Sequence, residues 1–289
     1  MDFLHTLQQT NELASLPTVA SKLLSLLEDD NADLRTIARY IEQDVAIASK
    51  VVRVANSPMF GLRVPVASIP HAIMTIGTTR VTNIVLGVSI FSKFVYLSTL
   101  AGSFLSQFWT HSAVTASLAR SLVRQAKVDF QEMEFLAGLI HDIGKLAMLQ
   151  IDVGRFRTVQ ERMKEGCPEL QAELEVFGAT HTEAGEVICN MWKLPATIQG
   201  VVRLHHEANC SISDVELLLS VVQTADALAC EFGYSYGETM LHSIDENPGW
   251  NRLKAVIPAF SQWSSDTLCE YVAEDVKSAS TLITVLTTE

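Results

Sequence analysis

The sequence lacks several features that mark common protein classes. Its 289 residues include only five cysteines, none of them in a Cys-x-x-Cys pair. That pattern argues against a disulfide framework and against a thiolate zinc site, so we expect reduced thiols in a cytoplasmic protein. The N-terminus reads Met-Asp-Phe-Leu-His and has neither the basic segment nor the cleavage site of a signal peptide, so export is not expected. The cysteines are Cys167, Cys189, Cys210, Cys230 and Cys269.

Long apolar runs and basic runs are also absent. The most apolar stretch, from Val81 to Leu105, is interrupted by Asn83 and Lys93, which predicts buried helix and no membrane contact. Acidic residues outnumber basic ones by 33 to 21, giving a formal net charge of −12. Because that charge repels a phosphate backbone, binding to nucleic acid is not expected.

Apolar residues recur at helical spacing almost throughout the chain. Val19, Leu23 and Leu26 share one face of a predicted helix. Breaks are expected at Asn56-Ser57-Pro58 and at Gly77. Further helices are predicted to begin near Gln107, Met133, Pro168, Thr180, Pro195, Val215 and Asp266. The pattern predicts an all-α fold in which an N-terminal helical bundle, residues 1–95, packs on a C-terminal helical domain, residues 96–289.

The sharpest local signal is the adjacent pair His141-Asp142, which we predict to lie inside an apolar helix. A carboxylate buried without a partner is costly, and a metal ion would stabilise both side chains, since imidazole and carboxylate suit zinc, iron or manganese. Gly138 and Gly144 would allow another helix to approach closely. The alternative is that His141 hydrogen-bonds a carbonyl while Asp142 pairs with Lys145, three residues on.

Similar anomalies recur along the second half. Asp226 lies in an apolar segment with no basic residue three or four positions away. His205 and His206 are adjacent at a predicted helix end, His181 falls in a predicted first turn, and His111 has aromatic and small neighbours. Each alone has an ordinary explanation, as a solvated pair, a capping residue or a satisfied core histidine. Together they favour a metal site. The other histidines, His5, His71 and His242, receive no role.

These residues resemble the HD superfamily of metal-dependent phosphohydrolases, and their order is most similar to the HD-GYP branch. The resemblance implies two divalent metal ions, with iron as the first expectation and zinc or manganese as alternatives. It implies that Asp142 bridges the ions and that Lys145 contacts substrate phosphate, which makes these two residues the catalytic candidates. The implied metal ligands are His111, His141, Asp142, His181, His205, His206 and Asp226.

The whole chain resembles the HDOD family, a regulatory relative, over residues 12–230. The resemblance rests on Leu16-Pro17, Ala55-Asn56-Ser57 and Trp192-Lys193-Leu194-Pro195, among other segments. It implies a bacterial signal-transduction protein that acts through a protein partner, with the N-terminal bundle packed on an HD-domain-like core.

Two positions depart from these families. Val45 follows Asp44 where a proline commonly stands, which affects one helix start. The Gly-Tyr-Pro segment expected after the histidine pair is absent, because the chain continues Glu207-Ala208-Asn209. Hydrolysis of cyclic-di-GMP is therefore not expected.

Three hypotheses remain open at this point. The first is a signalling module with a metal-occupied HD site, and the second is a phosphohydrolase acting on a phosphoester or nucleotide, where two ions activate water and neutralise phosphate. The third is a metal-free scaffold whose polar residues pair internally. Metal content, turnover and loss of a bound partner distinguish them.

Overall fold

The computed structural model describes residues 2–10, 13, 15–27, 34–94, 97, 102–209, 213–236 and 243–287. Within these ranges every regular element is helical, so the predicted all-α class is confirmed. None of the described helices is both long enough and apolar enough to cross a membrane. Two residues considered from the sequence, Cys210 and His242, lie outside the described ranges.

The first half of the chain forms short helices and one longer one. They are α1 (Phe3–Gln9), α2 (Thr18–Leu27), α3 (Leu34–Glu42), α4 (Val45–Ala55), α5 (Ile69–Ile76) and α6 (Thr78–Phe94).

The second half carries the longer helices that position the candidate site. They are α7 (Ser103–Ala126), α8 (Met133–Ile140), α9 (Ile143–Ile151), α10 (Val153–Lys164), α11 (Glu169–Phe177), α12 (His181–Met191), α13 (Ala196–Leu204), α14 (Ser213–Glu231), α15 (Pro248–Val256) and α16 (Ser265–Thr287).

The predicted break after α4 is present, and the side chain of Asn56 stabilises the loop that follows it. The Asn56 side chain donates to the Val66 carbonyl at 2.7 Å and accepts from the Val66 amide at 2.8 Å, so it fastens the loop that follows the helix. At the other end of α4, Asp44 caps the first turn by accepting from the Ile47 amide. The helix therefore begins at Val45 without a proline at its first position.

The prediction that His141 and Asp142 lie inside one apolar helix is wrong. Helix α8 ends at Ile140 and α9 begins at Ile143, so the pair forms the junction between two helices. Asp142 has φ −98° and ψ 13°, outside the helical region. The periodicity concealed this break because all the residues on both sides of the junction are buried, which leaves no polar face to mark a change of direction.

Several helices escaped sequence analysis. Helix α10 buries only Phe156 and Val159 and is otherwise polar, so its apolar period is weak. The sequence signal for helix α15 lies in its capping residues and not in its apolar spacing. Asn247 accepts from the Trp250 amide, and Pro248 occupies the first helical position. Helix α1 is a short element near the chain start that buries only Phe3 and Leu7.

The larger of two buried hydrophobic clusters extends from Phe3 to Leu286 and includes residues of both halves. Polar contacts join the halves as well. The Trp192 indole donates to the Leu13 carbonyl at 2.8 Å, and Arg120 pairs with Glu132 while donating to the Met59 carbonyl. The division into residues 1–95 and 96–289 stays a prediction.

Two glycines allow the helices around the site to meet. A Cβ at Gly144 would lie 1.9 Å from the His181 carbonyl oxygen, and one at Gly138 would lie 2.8 Å from the Ala116 Cα. Both glycines were expected to permit a close approach, and the approach is present. The contact at Gly144 brings α9 against α12 and sets His181 beside Asp142.

Candidate metal centre

All seven candidate ligands converge on one region from different helices, where five are buried, Asp226 is partly exposed and His206 is exposed. Helix α7 supplies His111, and the α8–α9 junction supplies His141 and Asp142. The first residue of α12 is His181, with Thr180 as its N-cap in a complete capping box. The remaining three are His205 and His206, which follow the end of α13, and Asp226, in α14.

One group of donor atoms gathers around the Asp142 Oδ1 atom. That oxygen lies 3.1 Å from His181 Nε2 and 3.2 Å from His205 Nε2. His206 Nε2 lies 3.2 Å from His181 Nε2. Asp142, His181 and His205 are buried.

A second group gathers on the other side of the same carboxylate. Asp142 Oδ2 lies 3.3 Å from His141 Nε2, which is itself 3.3 Å from His111 Nε2. Asp226 Oδ1 lies 3.0 Å from His111 Nε2 and 3.7 Å from His141 Nε2. Asp142 thus faces both groups, one with each oxygen.

The outer ring nitrogens fix how four of the histidines are oriented. Their Nδ1 atoms each lie 2.9 Å from an oxygen acceptor, so Nδ1 carries a proton and Nε2 points into the centre. The acceptors are the carbonyls of Tyr234, Gly138 and Val202, for His111, His141 and His205, and the Glu173 carboxylate, for His181.

Asp226 shows why the centre calls for a cation. Its Oδ1 atom lies 3.0 Å from His111 Nε2, yet it is a buried oxygen without a hydrogen-bond donor. The two observations agree when the ring proton of His111 lies on Nδ1, towards the Tyr234 carbonyl, because the Nε2 lone pair then faces the carboxylate oxygen. Either a proton or a metal ion between them removes that repulsion.

The spacing of the nitrogens fits ligands of a shared ion. The Nε2 atom of His181 lies 3.2 Å from that of His205, and the His111–His141 separation is 3.3 Å. For two ligand atoms each about 2.1 Å from an ion, such a separation gives an angle of roughly 100° at the ion, which lies between octahedral and tetrahedral values. The donor set of imidazoles and carboxylates suits iron, zinc or manganese.

The buried carboxylates make the centre attractive to positive charge. Burial lowers the pKa of His141, but the Asp142 carboxylate opposes it and the pKa rises to about 9. At His181 burial is likewise outweighed, chiefly by the Glu173 carboxylate, and the pKa rises to about 10. Without a metal ion, the rings of His141 and His181 therefore hold protons, and a bound metal ion would replace those protons.

The other two histidines of the first group behave in the opposite way. Burial lowers the pKa of His205. Burial of the ring, together with the neighbouring His205 and His181, holds the pKa of His206 well below its ordinary value, although part of that residue is exposed. Both rings are therefore neutral near pH 7, which is the protonation state that a metal ligand requires.

Tyr236 and Lys145 close one side of the centre. The Tyr236 hydroxyl donates to Asp142 Oδ2 and lies 3.0 Å from Lys145 Nζ, while its ring lies 4.9 Å from the His111 ring. Lys145 is 1% exposed, and its ammonium contacts Asp142 at 3.0 Å and Glu169 at 2.9 Å. The lysine is thus held by carboxylates of the chain itself.

The two contacts that the sequence offered as an alternative to metal binding by His141 and Asp142 are also present. His141 hydrogen-bonds the Gly138 carbonyl, and Asp142 pairs with Lys145. The first contact uses Nδ1 and leaves Nε2 directed into the centre, and the second engages Oδ2 while Oδ1 remains directed at His181 and His205. His5 and His71 lie in N-terminal helices and make local contacts there. His5 contacts Gln9, and His71 accepts from the Ala67 amide.

Sequence reasoning missed four residues at the centre. Glu173 is 1% exposed although Leu174, its neighbour in α11, is 50% exposed, so the pattern of α11 suggested the reverse. Glu169 and Tyr236 come close only through tertiary packing and carried no local signal. Cys230 had one: it lies four residues after Asp226 in α14, where side chains share a helix face.

A family model described as the HDOD domain matches residues 13–208. Among curated sequences, an uncharacterized protein of Treponema pallidum (strain Nichols) is 24% identical over 242 residues, which make up 75% of this chain and 44% of that protein. The chain therefore spans less than half the length of that relative.

Solved structures share the same arrangement of helices. A candidate phosphohydrolase from Shewanella amazonensis SB2B gives a TM-score of 0.74 at 17% identity, covering 98% of this chain and 97% of that chain. A candidate signal-transduction protein from Marinobacter aquaeolei VT8 gives 0.72 at 17% identity, covering 95% and 60%. At these identities the likeness establishes a common fold.

Proposed function

The chain belongs to the HDOD domain family, and from that premise we propose that it is a signal-transduction module whose HD-type centre holds two divalent metal ions and which acts through a protein partner. The family membership supports the signalling role, and the shared fold with a candidate signal-transduction protein agrees with it. The centre supports the metal ions.

The observation that carries the metal assignment is the convergence of histidine Nε2 atoms on two carboxylates, those of Asp142 and Asp226. Asp142 Oδ1, His181, His205 and His206 would hold one ion. His111, His141, Asp226 and the Oδ2 atom of Asp142 would hold the other, with Asp142 bridging. Iron is the first expectation, with zinc or manganese as alternatives of the same donor preference.

The condition of Lys145 favours signalling over turnover. A lysine that contacts substrate phosphate must present its ammonium to the substrate, whereas this ammonium is buried against Asp142, Glu169 and the Tyr236 hydroxyl. A phosphate oxygen that approached the same ammonium would meet two negative charges. In this arrangement the centre is suited to bind ions and stabilise the fold rather than to admit a phosphoester.

The N-terminal bundle offers a surface for the partner. Val45, the first residue of α4, is 76% exposed, and Met74, in α5, is 77% exposed. Helices α4 and α5 contact each other, and both contact α3. A contiguous patch of exposed apolar side chains would mark a protein contact site. We assign the partner contact to this surface.

The test compares two substitutions of exposed apolar residues in the native host. Met74→Glu should remove a specific co-purified protein, while Leu174→Glu, on α11 of the second half, should keep it. Circular dichroism would check that both variants stay folded. Recovery of the same proteins with both variants and with the unaltered chain would contradict the assignment.

A phosphohydrolase acting on a phosphoester or nucleotide is the second candidate. It is favoured by one observation, the complete set of donors with a lysine beside the bridging carboxylate. Bound ions would supply Lewis acidity and activate water. Under this hypothesis Asp142 orients both halves of the centre, and Lys145 stabilises developing negative charge once Tyr236 and Glu169 release it.

Turnover distinguishes the two candidates. Metal-loaded protein would be assayed with a general phosphodiester and with nucleotides, beside Asp142→Ala as a control. The signalling proposal predicts no turnover by either protein. Turnover by the unaltered protein that disappears in Asp142→Ala would favour the phosphohydrolase.

A further inference from the structure

We propose that Cys230 is a thiolate ligand of the ion held by His111 and Asp226. This inference rests on the proposed function, since it concerns one of the two ions assigned there. It makes the two metal positions chemically unequal, one with nitrogen and oxygen donors alone and the other with sulfur added.

Helix geometry places the thiol beside the carboxylate. Asp226 and Cys230 lie four residues apart in α14, so their side chains stand one above the other on the same face. That face turns towards His111 in α7. The ligand atoms of His111, Asp226 and Cys230 all lie within 4.8 Å of one another.

That separation is compatible with a shared ion. Sulfur binds zinc at about 2.3 Å and imidazole nitrogen at about 2.1 Å, so donors on opposite sides of an ion are about 4.4 Å apart. A cysteine side chain has a single χ1 torsion, and rotation about it adjusts the position of Sγ relative to His111 and Asp226.

A second, independent feature points to a ligand at this position. The His111 side chain is fully buried, and its Nε2 atom faces Asp226 Oδ1. That oxygen is itself buried without a hydrogen-bond donor. A cation bound by both groups and by the thiolate would satisfy all three, whereas a neutral thiol would supply at most one weak proton.

Two other described cysteines, Cys189 and Cys269, have different surroundings. Cys189 is fully buried, and burial raises the pKa of its thiol, which disfavours a thiolate. Cys269 lies in α16 among apolar residues and is partly exposed, as Cys230 is. Among the described residues, neither cysteine belongs to a group of convergent metal-ligand side chains. Cys269 is therefore the matched control.

Sulfur would change which metal the position accepts. Thiolate is a softer donor than carboxylate, so it favours zinc or iron over manganese or magnesium at the His111 position. When the metal–sulfur bond forms, the thiol proton passes to water. We therefore expect the His111 position to bind zinc or iron more tightly than manganese or magnesium.

Cobalt(II) is the probe, because a thiolate–cobalt bond absorbs in the near ultraviolet whereas nitrogen and oxygen ligands do not produce that band. The full chain loaded with cobalt should show the band, and Cys230→Ser and Cys230→Ala should lose it. Cys269→Ser should keep it. The Cys230→Ala substitution should also lower the affinity for one of the two bound ions and leave the affinity for the other unchanged.

A second measurement needs no substitution and so avoids any effect on folding. The cysteines of the unaltered protein would be labelled with a thiol reagent before and after zinc loading and then identified by peptide mass spectrometry. Zinc should protect Cys230 and leave Cys269 equally reactive.

The outcomes separate this inference from the proposed function. Uptake of metal ions with no thiolate band and no protection of Cys230 would overturn the thiolate ligand while leaving the two-metal centre intact. A chain that takes up no cobalt or zinc would overturn both. A band that persists in both Cys230 variants but disappears in Cys269→Ser would show that the sulfur ligand is Cys269 in α16, and it would refute the inference.

Discussion

Glu173 offers a sharp way to perturb the centre without removing any of its proposed ligands. Its carboxylate oxygens both lie 2.9 Å from His181 Nδ1, and one also accepts from the His181 backbone amide at 2.8 Å. The residue is 1% exposed, so water does not replace these contacts. Glu173→Gln keeps the size and one acceptor oxygen of the side chain but removes its charge.

The expected effect follows from the role of such a partner. A carboxylate that accepts from a ligand histidine fixes the ring and increases its basicity, and the loss of such a partner typically weakens metal binding 10- to 100-fold. At 1.4 kcal/mol for each factor of ten, Glu173→Gln should reduce the free energy of metal binding by about 1.4 to 2.8 kcal/mol. The ion held by His181, His205 and His206 should be the one that weakens.

The assay is competition with a metal-binding dye, which gives the affinity of each ion. Glu175→Gln is the matched control, because Glu175 lies two residues further along α11, at the surface, where it pairs with Arg162. The control should bind metal as the unaltered protein does. Equal affinities for the Glu173 and Glu175 variants would refute the view that His181 is a metal ligand oriented by Glu173.

Three further outcomes are expected. Burial and then a neighbouring carboxylate raise the pKa of Glu134 from 4.5 to about 7, so the folded state holds its proton more tightly and stability should fall as the pH rises from 4.5 to 7. Glu134→Gln should remove a difference of about 3 kcal/mol, measured by urea unfolding at both pH values; equal pH profiles would contradict this. Gly144→Ala should destabilise the protein by at least about 1–3 kcal/mol, whereas Gly154→Ala, whose Cβ meets only a side chain at 3.3 Å, should not, as thermal unfolding would show. Tyr236→Phe removes the hydroxyl that donates to Asp142, so it should speed the release of bound metal to a chelator; an unchanged rate would show that the hydroxyl does not help to close the centre.

The helical class and the convergence at the centre were predictable from the sequence for a physical reason. A histidine or aspartate in an apolar segment must find a partner, and Asp226 had none within its own helix. The end of α13 before His205 and the capped start of α12 at His181 were visible in local residue types, because capping is a local interaction. The periodicity of the flanking residues did not show the break at His141-Asp142.

Features that depend on tertiary packing were beyond the sequence. Glu173 is buried while Leu174 is exposed, since the position of α11 against α12 decides which face is covered. Tyr236 and Glu169 reach Lys145 from segments 91 and 24 residues away along the chain, and no local pattern encodes such a meeting. The thiol of Cys230 could have been noticed one turn after Asp226, but the absence of a Cys-x-x-Cys pair directed attention elsewhere.

Elemental analysis of the purified, untagged protein by plasma mass spectrometry would count the bound metal ions directly. Asp142→Ala removes the carboxylate that faces both groups of histidines, and Asp129→Ala, an exposed aspartate paired with Arg80, is the control. We expect about two ions of iron, zinc or manganese per chain in the unaltered protein and in the control, and a large loss in Asp142→Ala. No bound metal in the unaltered protein, even after reconstitution, would contradict this expectation and favour a scaffold whose histidines and carboxylates pair only with one another.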